Sequence, residues 1–207
     1  MATRYVCILG DDVLRKRAKE VKKIDNKTLE LLDDMANTLY EKDGVGLAAP
    51  QVGILKRIII VDVGDGLIEL INPVIIKQEG TQMYMEGCLS YPGYFGNVER
   101  PEKVTLRGQN REGHEVEHVA EGLLAVAFCH EVDHLDGKMF IDRVVGRIYS
   151  AEQLREMKAD EEALDMEQSG QEGETANLAE SEQPGEMAEI MEREQVGKRA
   201  DMVEREL

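Results

Sequence analysis

Tryptophan is absent, and six Tyr and three Phe bring the aromatic share to only 4% of the 207 residues. A core built from this chain is therefore aliphatic, with methionine filling gaps. Cysteine is sparse too: Cys7, Cys88 and Cys129 are odd in number and lack disulfide-like spacing, which argues against a disulfide framework and fits a reducing compartment. No apolar run reaches the roughly 18 residues of a membrane span. The N-terminal MATRYVCILGDDVLRKRAKEV has neither a signal-peptide core nor a cleavage pattern. The expectation is a soluble cytoplasmic protein with no membrane partner. Positive charge is also short, with 25 Lys and Arg against 42 Asp and Glu. Without a basic footprint, direct nucleic-acid binding is not expected.

What is present suffices for one domain of ordinary size, at 42% hydrophobic content. The net charge of −17 is unevenly spread, because residues 151–207 carry 6 Lys and Arg against 18 Asp and Glu. From Glu167 onward Glu, Gln, Gly and Ser dominate and no apolar stripe persists. The reading is a folded domain over 1–166 and an acidic tail over 167–207, disordered or a solvated helix.

Along the domain, one helical turn is expected near Asp12–Arg17, after a short apolar run at Tyr5–Leu9. A helix follows from the Asp25 cap to about Lys42, with Ile24 and Leu29 as a staple and Leu29, Leu32, Met35, Ala36, Leu39 and Tyr40 as its stripe. Gly44–Gly53 is a run of small residues with one polar side chain, Gln51. It reads equally as a packed loop over the core or as a loop pairing its backbone with an extended ligand. The Gly-Val-Gly start has no Lys or Ser/Thr where a phosphate loop needs them. Arg57–Val63 and Ile68–Ile76 read as strands, Pro73 marking a bulge or edge. Tyr91–Gly96 reads as turn-rich. Val104–Arg107 and Glu115–Val119 form a hairpin across Asn110–Gly113. Met139–Val145 is a short extended piece. Ser150 and Gln153 box the start of a helix over Ala151–Met166 that could dock through Leu154, Met157 and Leu164.

The stretch Glu121–Gly137, EGLLAVAFCHEVDHLDG, reads as a core helix with Leu123, Ala127, His130 and His134 on one stripe. Histidines one turn apart can share a metal, and Glu131 between them is placed to reach a water rather than the ion. Buried imidazoles and a buried carboxylate are costly without a charge partner, which favours the metal. His114–His118 fits the same H-E-x-x-H formula but lies on an expected strand. Histidines four apart there stand roughly 13 Å from each other, against about 6 Å on a helix. That copy is expected to be a polar strand face in solvent.

A catalytic ion of this kind needs a third protein ligand and an open position. The metzincin pattern fails, since Phe140 stands where its last His would be. Asp160, Glu161 and Glu162 read as ordinary solvated charge. Cys88, between Gly87 and Leu89, is either that ligand or a small buried hydrophobe. Cys129, about 100° round the helix from His130, reads as packing, as does Cys7.

Three segments together, GVGLAAPQ (Gly44–Gln51), EGCLS (Glu86–Ser90) and HEVDH (His130–His134), are similar in order and separation to those of peptide deformylases. The resemblance covers about residues 1–150, or roughly 160 with the following helix. It implies an α+β fold of antiparallel sheets around the histidine helix, with N-terminal and C-terminal helices. The activity it implies is removal of the N-formyl group from the initiator methionine of new polypeptides, with release of formate. It further implies one metal per chain held by Cys88, His130 and His134, with Fe(II) favoured and Zn(II), Ni(II) or Co(II) as substitutes. Glu131 would be the acid/base, with the Gln51 side chain and the Leu89 amide on the oxyanion. Val45, Gly46 and Gly87 would hold the extended formyl-methionyl peptide. Leu123, Val126 and Ala127 would wall the methionine pocket, with Tyr84, Tyr91 and Tyr94 near its rim. Some members meet the ribosome through a basic C-terminal helix, and a transient contact of that kind is implied. Here Arg155 and Lys158 are outnumbered by acids, which weakens the expectation. The rivals are a metallopeptidase using the same helix and a non-catalytic protein acting through its tail, and neither accounts for GVGLAAPQ and EGCLS together.

Overall fold

The computed structural model describes residues 2–160. Residues up to Met157 form one compact unit. The first helix, α1, spans Asn26–Glu41, and it starts because the Asp25 carboxylate accepts the Thr28 N–H at 3.0 Å. It ends as Asp43 turns to φ 51° and the Gly44 N–H bonds back to the Leu39 carbonyl at 3.0 Å. Its inner face carries Leu31, Leu32, Met35 and Leu39. Tyr40, expected on that stripe, lies outside it at 52% exposure, its hydroxyl donating to Asp62 at 2.8 Å. A phenol at the stripe's margin reaches a carboxylate more cheaply than it buries its O–H.

Five strands form one antiparallel sheet in the order β1 (Gly46–Ala48), β2 (Ile58–Val61), β3 (Ile68–Glu79), β6 (Lys103–Gln109) and β7 (Glu115–Glu121). Strand β2 explains the layering. Ile58 and Ile60 join the apolar cluster under α1, whereas Ile59 and Val61 join the cluster under the second helix, α2 (Gly122–Leu135). Alternate residues of a strand point to opposite faces, so an unbroken apolar run is what a strand covered on both sides requires. The expected irregularity at Pro73 is present as a register shift between Ile71 and Val74. Asn72 there turns to φ 54° and its side-chain amide pairs with the Val21 backbone at 2.8 and 2.9 Å.

Strands β4 (Gln82–Cys88), β5 (Tyr91–Arg100) and β8 (Val144–Ser150) make a second sheet, in that order. The turn-rich reading of Tyr91–Gly96 is thereby corrected: these residues are strand. A methyl on Gly87 would lie 2.7 Å from Phe95, and one on Gly96 2.7 Å from Val144. Gly87 and Gly96 thus mark close packing between neighbouring strands, whereas Gly93 takes a φ of 79°. Met139–Val145 is likewise a 3-10 turn, Phe140–Asp142, feeding β8 rather than an extended piece. The Ser150–Gln153 box forms, with reciprocal bonds of 2.8 and 3.1 Å, and residues 151–160 are helical. Met157 is 52% exposed instead of docked. Leu164 and the acidic tail 167–207 lie outside the described residues.

Candidate metal centre

Helix α2 is apolar nearly all round, and every residue from Ala125 to Leu135 is buried. Such a helix belongs inside the molecule. It therefore carries His130, Glu131, Asp133 and His134 out of water, where each needs a partner. The β4–β5 hairpin supplies one, because its tight turn, with Cys88 paired to Tyr91, brings the thiol to the helix. The Cys88 Sγ lies 3.3 Å from His134 Nε2, and the donor atoms of Cys88, His130 and His134 all fall within 4.8 Å of one another.

The second histidine pair does not converge in this way. His114 is exposed at the foot of β7, and His118 lies on the strand. The expected solvent-facing strand is only half right. His118 is half-buried, packed edge-on to Phe128 with ring centroids 6.1 Å apart, since its alternation points it toward α2.

His130 is held from behind. Its Nδ1 meets the Glu86 carboxylate at 2.7 Å, which leaves Nε2 for the space shared with Cys88 and His134. Phe140, the residue at the failed metzincin position, stacks on the His130 ring with centroids 6.2 Å apart. Glu86 in turn takes two bonds from Arg100, at 2.6 and 3.0 Å, and Arg100 reaches Asp133 at 2.6 Å. Burial opposes a charge on His130, but hydrogen bonds to Cys88 and Glu86 outweigh it and raise the imidazole well above its ordinary value. Burial and the His130 charge push His134 well below it.

Glu131 is pushed up to about 7, chiefly by burial, with the nearby Glu86 adding to the shift and His130 and Arg100 opposing it. Among the described residues its Oε2 is buried without a hydrogen-bond partner, as is His134 Nδ1. Glu131 Oε1 rests against the bare Cα of Gly46, where any side chain would collide with it. Gln51 is fully buried. Its Oε1 accepts the Ala48 N–H at 2.7 Å, and its Nε2 donates toward the Ser90 hydroxyl at 3.2 Å and the Cys88 sulfur at 3.5 Å. The Gly44–Gly53 segment packs over the core, with Leu47, Ala48, Ala49 and Gln51 buried. Leu89, at the hairpin tip, packs beside Gly44 and against the α1 cluster.

The sequence-predicted residues Gln51, Cys88, Glu131, His130 and His134 are thus brought together, with Gly46 against Glu131. Val45 is 44% exposed, and its carbonyl accepts the Asp62 N–H at 2.9 Å. Tyr91 and Tyr94 stack with centroids 4.4 Å apart. Reasoning from sequence missed Glu86, Ser90, Arg100 and Asp133. An acid in the last turn of an apolar helix was the available signal for Asp133. Arg100 offered none.

This donor set is one that a divalent ion accepts: two imidazoles and a sulfur within reach of each other, one imidazole oriented by a carboxylate. The sequence profile of the family described as polypeptide deformylase matches residues 3–148. A peptide deformylase of Caldanaerobacter subterraneus subsp. tengcongensis is 54% identical over 158 residues, covering 76% of this chain and 99% of the relative. One of Halothermothrix orenii is 60% identical over 139 residues, covering 66% and 90%. Among solved structures, the peptide deformylase from Thermotoga maritima superposes with a TM-score of 0.69 at 44% identity, covering 70% of this chain and 100% of its own. That from Synechococcus elongatus, in complex with actinonin, gives 0.67 at 45%, covering 69% and 79%. With the family profile spanning the three motifs and the fold shared with solved members, this chain belongs to the polypeptide deformylase family.

Proposed function

We propose that Cys88, His130 and His134 hold the metal with which this enzyme removes the N-formyl group from the formyl-methionine of newly made polypeptides, releasing formate. The observation that carries the assignment is the convergence of those three donor atoms within 4.8 Å, beside a buried carboxylate and a buried amide. A Cys/His/His set suits Fe(II), Zn(II), Ni(II) or Co(II). Our reading is one Fe(II) per chain, which makes the enzyme sensitive to oxygen through the iron and through Cys88. Bound there, the ion supplies Lewis acidity, lowering the pKa of a water and polarising the formyl carbonyl.

The chain's own groups do the rest. Glu131 takes the proton of the attacking water and passes it to the leaving nitrogen, a role that suits a carboxyl poised at about 7. The Gln51 amide and the Leu89 backbone N–H donate to the tetrahedral oxyanion, where one donor is typically worth about 3 kcal/mol. The peptide lies extended along β1, which is an edge strand and so can accept another. Gly46 and Gly87 bind it through main chain, while Val45, its carbonyl already engaged, contributes other groups. Residues 1–166 form the catalytic domain and 167–207 an acidic tail. We place the enzyme in the cytoplasm, with formyl-methionyl nascent chains as substrate and a transient ribosome contact as a further partner. Among the described residues no helix is long and apolar enough to cross a membrane.

The test is release of free amine from a formyl-Met-Ala-Ser peptide by protein purified without oxygen, beside Glu131→Ala and Cys88→Ser. The parent is expected to be active, Glu131→Ala to keep its metal and lose activity, and Cys88→Ser to lose both. Undiminished turnover in Glu131→Ala would overturn the assignment of the acid/base.

A further inference from the structure

Behind His130 the polar groups form a single file of alternating charge that ends at the surface. His130 Nδ1 meets Glu86, Glu86 is bridged to Arg100, Arg100 to Asp133, and Asp133 to Arg143. The side chains of Glu86 and Arg100 are 3% exposed and that of Asp133 9%, whereas Arg143 is 40% exposed. Arg143 grips Asp133 with a fork, Nε to Oδ2 at 2.5 Å and Nη2 to Oδ1 at 2.7 Å. Asp133 Oδ2 is also the acceptor of Arg100 Nη1 at 2.6 Å. Asp133 is thus shared between a guanidinium that supports the centre and one that does not touch it.

We propose that Arg143 is a positioning residue for the metal centre, acting through Asp133 and Arg100 on the Glu86 carboxylate that orients His130. The inference rests on reading His130 as a ligand. Its physical basis is charge balance in a dry site. With Arg143 in place, the two buried acids, Glu86 and Asp133, face two guanidinium groups. Without it, they share the single guanidinium of Arg100, and Asp133, left with no other partner of its own, draws Arg100 strongly. Arg100 turns toward Asp133, its two hydrogen bonds to Glu86 loosen, and the Glu86–His130 contact loses its support. Groups that orient a ligating imidazole typically change metal affinity by about 10- to 100-fold when removed. Arg143 also sits at the end of the turn that carries Phe140, its N–H bonded to the Phe140 carbonyl at 2.8 Å. The same short segment therefore fixes the ring face and the back of His130.

The test measures metal release into a chromogenic chelator from Co(II)-loaded protein, with the Co(II) visible spectrum and the melting temperature recorded alongside. The variants are Arg143→Gln and Arg143→Lys, with Arg111→Gln as a control that breaks a remote ion network to Glu69 and Asp33. Expected is release about tenfold faster in Arg143→Gln, with a changed spectrum, and an intermediate rate in Arg143→Lys, which keeps the charge but not the fork. Arg111→Gln should lower the melting temperature and leave release at the parent rate. Parent-like release in Arg143→Gln, or equal acceleration in Arg111→Gln, overturns the proposal. A His130→Ala protein that holds Co(II) as the parent does would instead overturn the ligand assignment beneath it.

Discussion

Gly46 owes its identity to Glu131. The carboxylate lies against the glycine's Cα, its own backbone φ is ordinary, and the atoms in the way are the end of a side chain. Gly46→Ala is therefore expected to fold and to displace the Glu131 carboxylate, which we propose as the acid/base. A misplacement of about 1 Å can cost about 100-fold in rate, so kcat is expected to fall by about that factor while the melting temperature barely moves. Steady-state rates beside a thermal melt decide it, and full activity in the Gly46→Ala enzyme would show that Glu131 has room to spare. At this scale the two histidines one turn apart with a glutamate between them were legible as a local pattern, whereas Cys88 stood out only through the likeness of EGCLS to a family motif. Glu86 was quoted within EGCLS without a role, since a bond across 44 residues leaves no local trace. Tyr40 erred in the other direction: helical spacing put it on the buried stripe, but spacing says nothing of a distant Asp62.

At the scale of elements, α1 supplies a pH test. A side-chain hydrogen bond from Thr28, then its backbone N–H, hold Asp25 below the ordinary carboxylate value of 3.8. A group depressed on folding stabilises fully above its unfolded pKa and ceases to do so as pH falls through the folded one. Asp25→Ala should thus lower the melting temperature at neutral pH without altering activity at the distant centre. The gap between variant and parent should close in acid. A gap that stays constant down to pH values below the carboxylate range would show that Asp25 acts other than as a charged cap. The cap, the hairpin over 103–121 and the histidine helix were all readable, because caps and periodicity act within a few residues. Strand β5 was not, since its Pro92, Gly93 and Gly96 signal turns locally, and only the packing of Val144 over Gly96 shows that this glycine serves a close approach between strands.

For the whole molecule, the centre and both apolar clusters belong to the unit Met1–Met157. Removing 168–207 is accordingly expected to leave kcat/KM on a formyl-methionyl peptide unchanged, and loss of most activity in the shortened protein would tie the tail to catalysis. The sequence by itself made the helices and their caps legible, because period and capping act between near neighbours, and the likeness of its three motifs to a known family implied the α+β fold and the family that its relatives share. Only the tertiary structure decided that Cys88 stands 3.3 Å from His134, that Gly46 makes room for Glu131 and that Arg100 joins two buried acids. Each of those depends on how two sheets and two helices close on one another, and a dry interior makes charges far apart in the chain answer to one another once it has closed.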